Sequence, residues 1–330
     1  MFRRVLAPGL RTLFTTTPST LQSILTKGDG TLPALHVPDR NIIWSRSELA
    51  LKCFTFAAAL RDLGYADQPK PLALRLNNSP ELCVALLGAA LAGVDVRTSK
   101  SRDGFSAITS HGSVVHVGDM QLAGDMLGSH EPIVVGDGAG MNDPAVLWDV
   151  LMHVYQGAAE TEMAPNAANA PSSSFFFSTD SKPNTLATLL NSAEAARSAL
   201  ELQPCERVCI PVPLTHNMGL GFGLLSVLSS EACVVLPGEC NGGSYDATLH
   251  DRANSAIEAV EKFECVGVVG DTHVVNEMRG FKERMKRIEE LGVFRTGLLK
   301  VGGGVALGAG DRVQFAGGEL VTVGLPKLRS

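Results

Sequence analysis

The stretch FFFSTDSKPNTLA at residues 175–187 has the surroundings of a phosphate-binding loop, because it joins an apolar run to a segment with helical periodicity. Such loops use glycines, which let backbone N–H groups approach a phosphate, and usually a lysine that meets its charge. This stretch contains no glycine, carries the acidic Asp180, and offers Lys182 as its only cation. Its residue types therefore pose the question of whether it binds a nucleotide.

The elements around this stretch alternate as in an α/β protein. Short β-branched runs are followed by segments with helical periodicity, and one such helix is predicted to begin at Ser45 with a capping box to Glu48. Another is predicted to begin at Ser79 and to end at Gly93. This order predicts parallel strands covered by helices, and hence two doubly wound, mostly parallel sheet units. In the second half of the chain, strands are predicted at 207–214, 232–237, 265–270 and 297–304.

The same pattern divides the chain into four parts. Residues 1–28 form a basic leader, and residues 29–156 form the first α/β unit. Residues 157–173 are small, polar and interrupted by proline, which is typical of a linker or surface loop. Residues 174–330 form the second α/β unit.

The leader has the profile of a mitochondrial transit peptide. It carries Arg3, Arg4, Arg11 and Lys27, and no acidic residue precedes Asp29. On a helical wheel its valine and leucines share one side while the arginines share the other, and hydroxyl residues follow. This profile predicts a mitochondrial matrix protein whose first 20 to 28 residues take no part in the fold.

Composition excludes several classes of function. A net charge of −6 without an arginine or lysine stripe predicts no nucleic-acid site, because phosphate backbones are bound through clustered cations. No apolar run is long enough to span a membrane. The seven cysteines are odd in number, scattered, and without a C-x-x-C pair, so we expect reduced structural thiols and no metal site.

Two longer stretches resemble a known family. WSRSELALKCFTFAAALRDLGY and NNSPELCVALLGAALAG resemble the opening of the AMP-forming acyl-CoA synthetases and related adenylating enzymes. CIPVPLTHNMGLGFGLLSVLSSEACVVLP resembles a later landmark of that family, a P-L-x-H-x-x-G run followed by an apolar helix and a strand. The oxalyl-CoA synthetase-like members are the most similar. The resemblance covers residues 40–327 and implies the fold of the N-terminal domain of these enzymes.

Through this resemblance, FFFSTDSKPNTLA takes the place of the family's phosphate loop, T-S-G-T-T-G-x-P-K-G. Ser178, Ser181 and Thr185 then stand at glycine positions, and Asn184 stands at the lysine. A Cβ disfavours the left-handed backbone and the close approach that glycine allows. Each substitution therefore weakens the expected binding of ATP.

Asp180 adds a like charge beside the phosphates. At about 5 Å and an effective dielectric constant near 20, the repulsion of one unit charge is on the order of 3 kcal/mol. Lys182 can reach inward as a substitute cation, and Thr179 keeps a hydroxyl position. The nucleotide-binding candidates that remain on the loop are Ser178, Thr179 and Lys182.

The adenine and magnesium side is altered as well. KVGGGVAL at 300–307 resembles the family's S-G-G-A-P-L turn, which lies against the adenine, although its glycines also suit any strand-to-helix turn. VGLPK at 323–327 takes the place of the Y-G-x-T-E motif, so Lys327 replaces the acidic residue that positions magnesium. The adenine-side candidates are Gly302, Gly303 and Gly304.

His216, in PLTHNMG, matches the family's histidine near the acyl pocket. Its residue context leaves two interpretations open. It lines a relic acyl pocket, or it is a histidine at a strand end that is hydrogen-bonded locally.

Three hypotheses of function follow. The first is a non-catalytic subunit or assembly factor, without catalytic residues or cofactors, whose partners are protein subunits of a larger mitochondrial assembly. The second is a divergent ATP-dependent acyl-CoA synthetase, for which ATP, Mg²⁺ and CoA would be required. The third is a module that binds CoA or a nucleotide without turnover.

Overall fold

The structure is a computed structural model of the 330-residue chain. Among the described residues, the strands form two sheets, one of seven strands and one of eight. The structure describes residues 20–99, 105, 108, 110, 112–116, 119, 132–136, 146–162, 173–177, 183–200, 202–237, 248–270, 272–284, 295–299, 312–316 and 320–324.

The seven-stranded sheet has the order β7-β6-β5-β3-β4-β8-β9, and its strands are parallel except for β9. These strands are β3 (Leu72–Arg75), β4 (Val96–Thr98), β5 (Gly112–His116), β6 (Ile133–Val135), β7 (Val146–Leu147), β8 (Ser174–Phe176) and β9 (Asn184–Thr185).

The eight-stranded sheet has the order β14-β15-β13-β12-β10-β11-β1-β2, and it is parallel from β13 to β1, with antiparallel strands at both edges. These strands are β1 (Pro33–Val37), β2 (Ile42–Ser45), β10 (Arg207–Cys209), β11 (Cys233–Val235), β12 (Cys265–Val269), β13 (Arg295–Leu299), β14 (Arg312–Ala316) and β15 (Leu320–Gly324).

Helices connect and cover the strands, which confirms the predicted fold class: an α/β protein with two doubly wound, mostly parallel sheets. The helices are α1 (Leu21–Thr26), α2 (Arg46–Asp62), α3 (Pro80–Ala92), α4 (Trp148–Glu162), α5 (Leu186–Leu200), a π-helix (Met218–Leu225), α6 (Ser226–Ser229), α7 (Leu249–Phe263) and α8 (Thr272–Gly280).

The helix boundaries follow the capping residues found in the sequence. At the start of α2, Ser45 and Glu48 form the predicted capping box: the Ser45 N–H donates to Glu48 Oε2 at 2.7 Å, and the Glu48 N–H donates to Ser45 Oγ at 3.2 Å. These hydrogen bonds lower the pKa of Glu48. Helix α3 is capped by Ser79 and ends at Gly93, whose φ of 78° favours glycine.

Each sheet contains strands from both of the units that the sequence predicted. β1 pairs with β11 through Leu35 and Val234, and β4 pairs with β8 through Val96 and Phe175. The division at 29–156 and 174–330 therefore does not coincide with the two sheets. The reason is that β1 and β8 are largely buried strands that need neighbours on a ladder, and sequence order does not say which sheet supplies them.

The predicted linker at 157–173 is wrong for residues 157–162, because α4 continues to Glu162. The alanines of this stretch are strong helix formers, and Trp148 anchors the start of the helix on Phe56 with ring centroids 4.8 Å apart. Residues 163–172 lie outside the described part of the chain.

The expectation that residues 20–28 take no part in the fold is also wrong. Leu21, Ile24 and Leu25 on α1 are each only 3% exposed and belong to the hydrophobic core. Their spacing gives a short amphipathic helix, which sequence reasoning attributed to the leader. Burial of side chains of this size stabilises a fold by about 1.5–3 kcal/mol each. Residues 1–19 lie outside the described residues, so the leader itself stays a prediction.

Arg46 connects α1 to the rest of the molecule from inside the core. Its side chain is buried, and its guanidinium donates hydrogen bonds to the carbonyls of Ile24 at 2.8 Å, Lys27 at 3.0 Å and Leu228 at 3.0 Å. These carbonyls lie in the last turns of α1 and α6 or just beyond, where unpaired C=O groups and the helix dipole favour a cation. Burial lowers the pKa of Arg46, and the charge of Glu231 opposes this effect.

Replacement of Arg46 by methionine keeps much of the side-chain volume but removes the guanidinium from its three carbonyl acceptors, of which the Leu228 carbonyl keeps the Glu231 N–H as a donor. We expect Arg46→Met to lower the free energy of unfolding by about 3 kcal/mol or more, measured by urea denaturation. Lys262→Met is the control, because Lys262 pairs with Glu258 at 3.5 Å on an exposed helix surface and should change stability by less than about 0.5 kcal/mol. If the two variants had the same free energy of unfolding, the role given to Arg46 would be contradicted.

Candidate functional site

Both sheets contain a point at which the strand order reverses. The chain passes from β3 to β4 on one side and then to β5 on the other, and it passes from β10 to β11 and then to β12 in the same way. Open α/β sheets bind ligands beyond the carboxyl ends of their strands at such switch points. The two candidate positions for the site are therefore the carboxyl ends of β3 and β10.

The switch point of the seven-stranded sheet is occupied by an internal ion pair. Arg75 at the end of β3 and Asp119 beyond β5 lie 3.0 Å apart between Nε and Oδ2, with side chains 7% and 14% exposed. The two charges compensate each other. We therefore place the candidate site at the switch point of the eight-stranded sheet. Sequence reasoning missed this pair, since its members stand 44 positions apart without a motif.

Beyond β10, a turn that includes Pro213 and Leu214 leads through His216 into the π-helix. The turn and the π-helix lie in direct contact at Gly219, where a Cβ would come within 2.1 Å of the Pro213 carbonyl oxygen. The sequence predicted an apolar helix with regular glycines here, and the structure confirms a helix but with π geometry. π-helices are rare and occur often at functional sites.

Asn78 joins this turn to the other sheet. It lies three residues beyond β3, in the N-S-P-E stretch. Its Nδ2 donates to the Val212 carbonyl at 2.7 Å, and its Oδ1 accepts from the Leu214 N–H at 2.8 Å. The carboxamide thus binds the backbone on both sides of Pro213, as a neighbouring strand would, and it brings the carboxyl ends of the two sheets together.

His216 is half-buried and held by its neighbours. Its Nδ1 accepts a hydrogen bond from the Met218 N–H at 3.0 Å, and its carbonyl accepts from the Leu220 N–H at 2.9 Å. The neutral ring therefore carries its hydrogen on Nε2. The local hydrogen bond proposed from sequence is present, and the histidine also lies at the switch point, so a role in ligand binding stays a prediction.

The remaining nucleotide-binding candidates, Ser178, Thr179, Lys182, Gly302, Gly303 and Gly304, lie outside the described residues. The structure does describe the chain on both sides of the phosphate-loop stretch. Ser174 pairs with Thr185 and Phe175 with Asn184, so residues 178–182 connect two antiparallel strands. Thr185, assigned to a glycine position, accepts at its Oγ1 from the Thr188 N–H at 3.1 Å and so caps α5.

The described part of the chain offers neither a metal site nor a membrane-spanning helix. No three or more histidine, cysteine, aspartate or glutamate side chains of those residues come together as a metal site. No helix formed by those residues is long and apolar enough to cross a membrane. Of the described cysteines, Cys205 is exposed and the others are buried, and burial raises the pKa of Cys233 and Cys265 to about 12.

Comparison with known proteins shows which solved structures share this fold. No protein-family model matches the sequence, and no curated protein matches it. Solved structures do match. A benzoate CoA ligase from Burkholderia xenovorans LB400 is 18% identical with a TM-score of 0.60, over 85% of this chain and 60% of the ligase. The N-terminal domain of FACL13 from Mycobacterium tuberculosis is 15% identical with a TM-score of 0.58, over 85% of this chain and 75% of that domain.

The anthranilate CoA ligase AuaEII, solved in complex with anthranoyl-AMP, is 14% identical with a TM-score of 0.57, over 77% of this chain and 50% of the ligase. The chain thus spans 50–60% of the length of these two ligases. It has the fold of the N-terminal domain of the AMP-forming ligases, which confirms at the level of the fold the resemblance found in the sequence.

The contact between Gly219 and Pro213 can be tested by adding one methyl group. We expect Gly219→Ala to lower the free energy of unfolding by about 3 kcal/mol, because the new Cβ must push against backbone atoms rather than against a flexible side chain. Gly157→Ala is the matched control in α4, where no atom of the described residues lies within 4 Å of the added carbon, and it should stabilise by up to about 1 kcal/mol. Thermal unfolding of both variants measures their changes in stability. If both substitutions changed stability in the same direction, the close contact would be contradicted.

The bridge formed by Asn78 is tested by removing its carboxamide. We expect Asn78→Ala to cost about 2 kcal/mol in the free energy of unfolding, because two half-buried backbone groups lose their partner. Asn77→Ala removes the same group from the neighbouring position and should cost clearly less. Urea denaturation with hydrogen exchange at the Leu214 amide provides the measurement. Unchanged protection of that amide in Asn78→Ala would count against the bridge.

Proposed function

We propose that the chain is a divergent carboxylate–CoA ligase of the AMP-forming type. The observation that carries the proposal is the Asn78 bridge, which holds the turn before His216 against the other sheet at a switch point. The fold shared with the benzoate and anthranilate CoA ligases supports it. The substrates would be a carboxylic acid, ATP and CoA, with the acid first joined to AMP and pyrophosphate released.

Each candidate residue has a role in this proposal. Lys182 supplies the cation for the phosphates, while Ser178 and Thr179 donate hydroxyl hydrogen bonds to them. His216 presents its Nε2–H at the carboxylate end. The backbone that faces the adenine is supplied by Gly302, Gly303 and Gly304.

The altered loop sets the expected affinity. Asp180 repels the phosphates, and Asn184 cannot replace a lysine. We therefore expect a high KM for ATP compared with a loop that keeps the family's glycines and lysine. Mg²⁺ would reach the site with ATP, since Lys327 stands in the place of the family's acidic residue.

A second candidate function is a non-catalytic subunit or assembly factor of a complex in the mitochondrial matrix. The observation that favours it is the set of substitutions at Asp180, Asn184 and Lys327, all of which oppose binding of a magnesium–triphosphate. In this case His216 needs no ligand, because its hydrogen bond to Met218 already orients it. Binding of CoA or a nucleotide without turnover is an intermediate outcome.

ATP–pyrophosphate exchange with a panel of aryl and short-chain carboxylates tests the ligase. We expect carboxylate-dependent exchange that is lost in Lys182→Ala and a KM for ATP at least about tenfold lower in Asp180→Asn, because that variant removes one like charge beside the phosphates. Asp149→Asn, at an exposed position of α4, is the control and should leave the exchange unchanged.

The two candidates give opposite results in this experiment. Absence of exchange in the original chain and in Asp180→Asn, together with sedimentation in a large mitochondrial particle, would favour the subunit. Saturable binding of CoA or ATP without exchange would favour the binding module.

A further inference from the structure

The N-terminal segment Thr20–Gly28 was grouped with the leader in the sequence but is built into the folded body. We propose that any proteolytic removal of the leader is confined to residues that precede Thr20, so that Thr20–Gly28 remains a permanent part of the mature protein. This inference does not depend on the proposed function, since it concerns only the packing of α1.

Thr20 begins a helix that the core requires. Its Oγ1 accepts a hydrogen bond from the Ser23 N–H at 3.1 Å and caps α1. Leu21, Ile24 and Leu25 then lie in the core, each almost fully buried. A cut within α1 would remove one or more of these three side chains, and a cut after α1 would remove all of them. Either would open a cavity beside α2, α3 and α6.

The same segment satisfies a buried charge. Two of the three carbonyls that accept hydrogen bonds from Arg46 belong to Ile24 and Lys27. Without them the guanidinium would keep only the Leu228 carbonyl of that set. A buried cation that loses its acceptors is strongly unfavourable.

The end of the segment is fixed as well. Lys27 Nζ lies 2.9 Å from Glu231 Oε1. Gly28 has a φ of 78°, and a Cβ at this position would come within 2.3 Å of Glu231 Oε2. Lys27 is exposed and has extended backbone, but the chain turns at Gly28 directly against Glu231. A protease that needs an extended segment on both sides of the cut must therefore first release Gly28 from this contact.

The boundary at Thr20 also separates the basic residues of the leader into two groups. Arg3, Arg4 and Arg11 all precede Thr20, whereas Lys27 has a structural partner. A cut between Arg11 and Thr20 would thus remove the charges that predict targeting and keep every described residue of the core.

Limited trypsin digestion of the native full chain tests whether cleavage is confined to residues that precede Thr20. Trypsin can cut after Arg3, Arg4 and Arg11, and the next site is Lys27. We expect the retained folded body, weighed by mass spectrometry, to begin at Met1, Arg4, Val5 or Thr12. A folded body that begins at Gly28 or later would overturn the inference.

Two full-length variants show whether α1 is responsible. Ile24→Asp places a charge in the core, and we expect it to lower the melting temperature by about 10 °C or more and to expose the Lys27 site to trypsin. Ser23→Asp, at an exposed position of the same helix, should melt within about 2 °C of the original chain. Insolubility of Ile24→Asp beside a soluble Ser23→Asp supports the inference equally, and equal melting of both overturns it.

The N-terminus of the protein isolated from mitochondria gives the direct measurement. A first residue at or before Thr20 supports the limit, and a first residue at Leu21 or beyond overturns it.

Discussion

The carboxamide of Asn78 is the contact on which the arrangement of the candidate site depends. Each sheet could satisfy its own ladder without the other, but in the described part of the chain no strand pairs the Val212 carbonyl or the Leu214 N–H beyond β10. Asn78 supplies both the donor and the acceptor that this turn lacks, at 2.7 and 2.8 Å. An aspartate would lack the donor and a lysine would lack the acceptor, so only a carboxamide fulfils this role at that length.

Two arginines of this fold are held at the C-terminal ends of helices, whereas the buried Arg75 pairs with the carboxylate of Asp119. Arg46 is bound by carbonyls in or beside the last turns of α1 and α6, and Arg207 donates from Nη1 to the carbonyl of Phe263, the last residue of α7, at 3.1 Å. The C-terminal ends of helices carry partial negative charge, so the carbonyls at these ends help to compensate both cations. The position of each arginine is therefore tied to the position of a helix end, and the helices are held to the sheets by polar as well as apolar contacts.

The sequence allowed prediction of what is local. The capping box at Ser45, the start of α3 at Ser79 and its end at Gly93 follow from chemistry within a few residues, and all three are confirmed. The doubly wound fold class followed from the alternation of elements. Long-range contacts could not be predicted in this way. The Asn78 bridge joins two motifs that were recognised separately, and the role of Arg46 depends on carbonyls far along the chain, for which no residue pattern exists.

The exchange of strands between the two sheets bears on how the chain acquires its structure. β1 needs β11 as a neighbour and β4 needs β8, so neither half of the polypeptide holds a finished sheet. A nascent chain would expose the apolar faces of β1 and α1 until residues beyond 230 are synthesised. The pairing of β1 with β11 and of β4 with β8 is therefore expected to form late, because it needs residues from both halves of the chain. Two separately produced halves would be expected to recover the native state only when mixed.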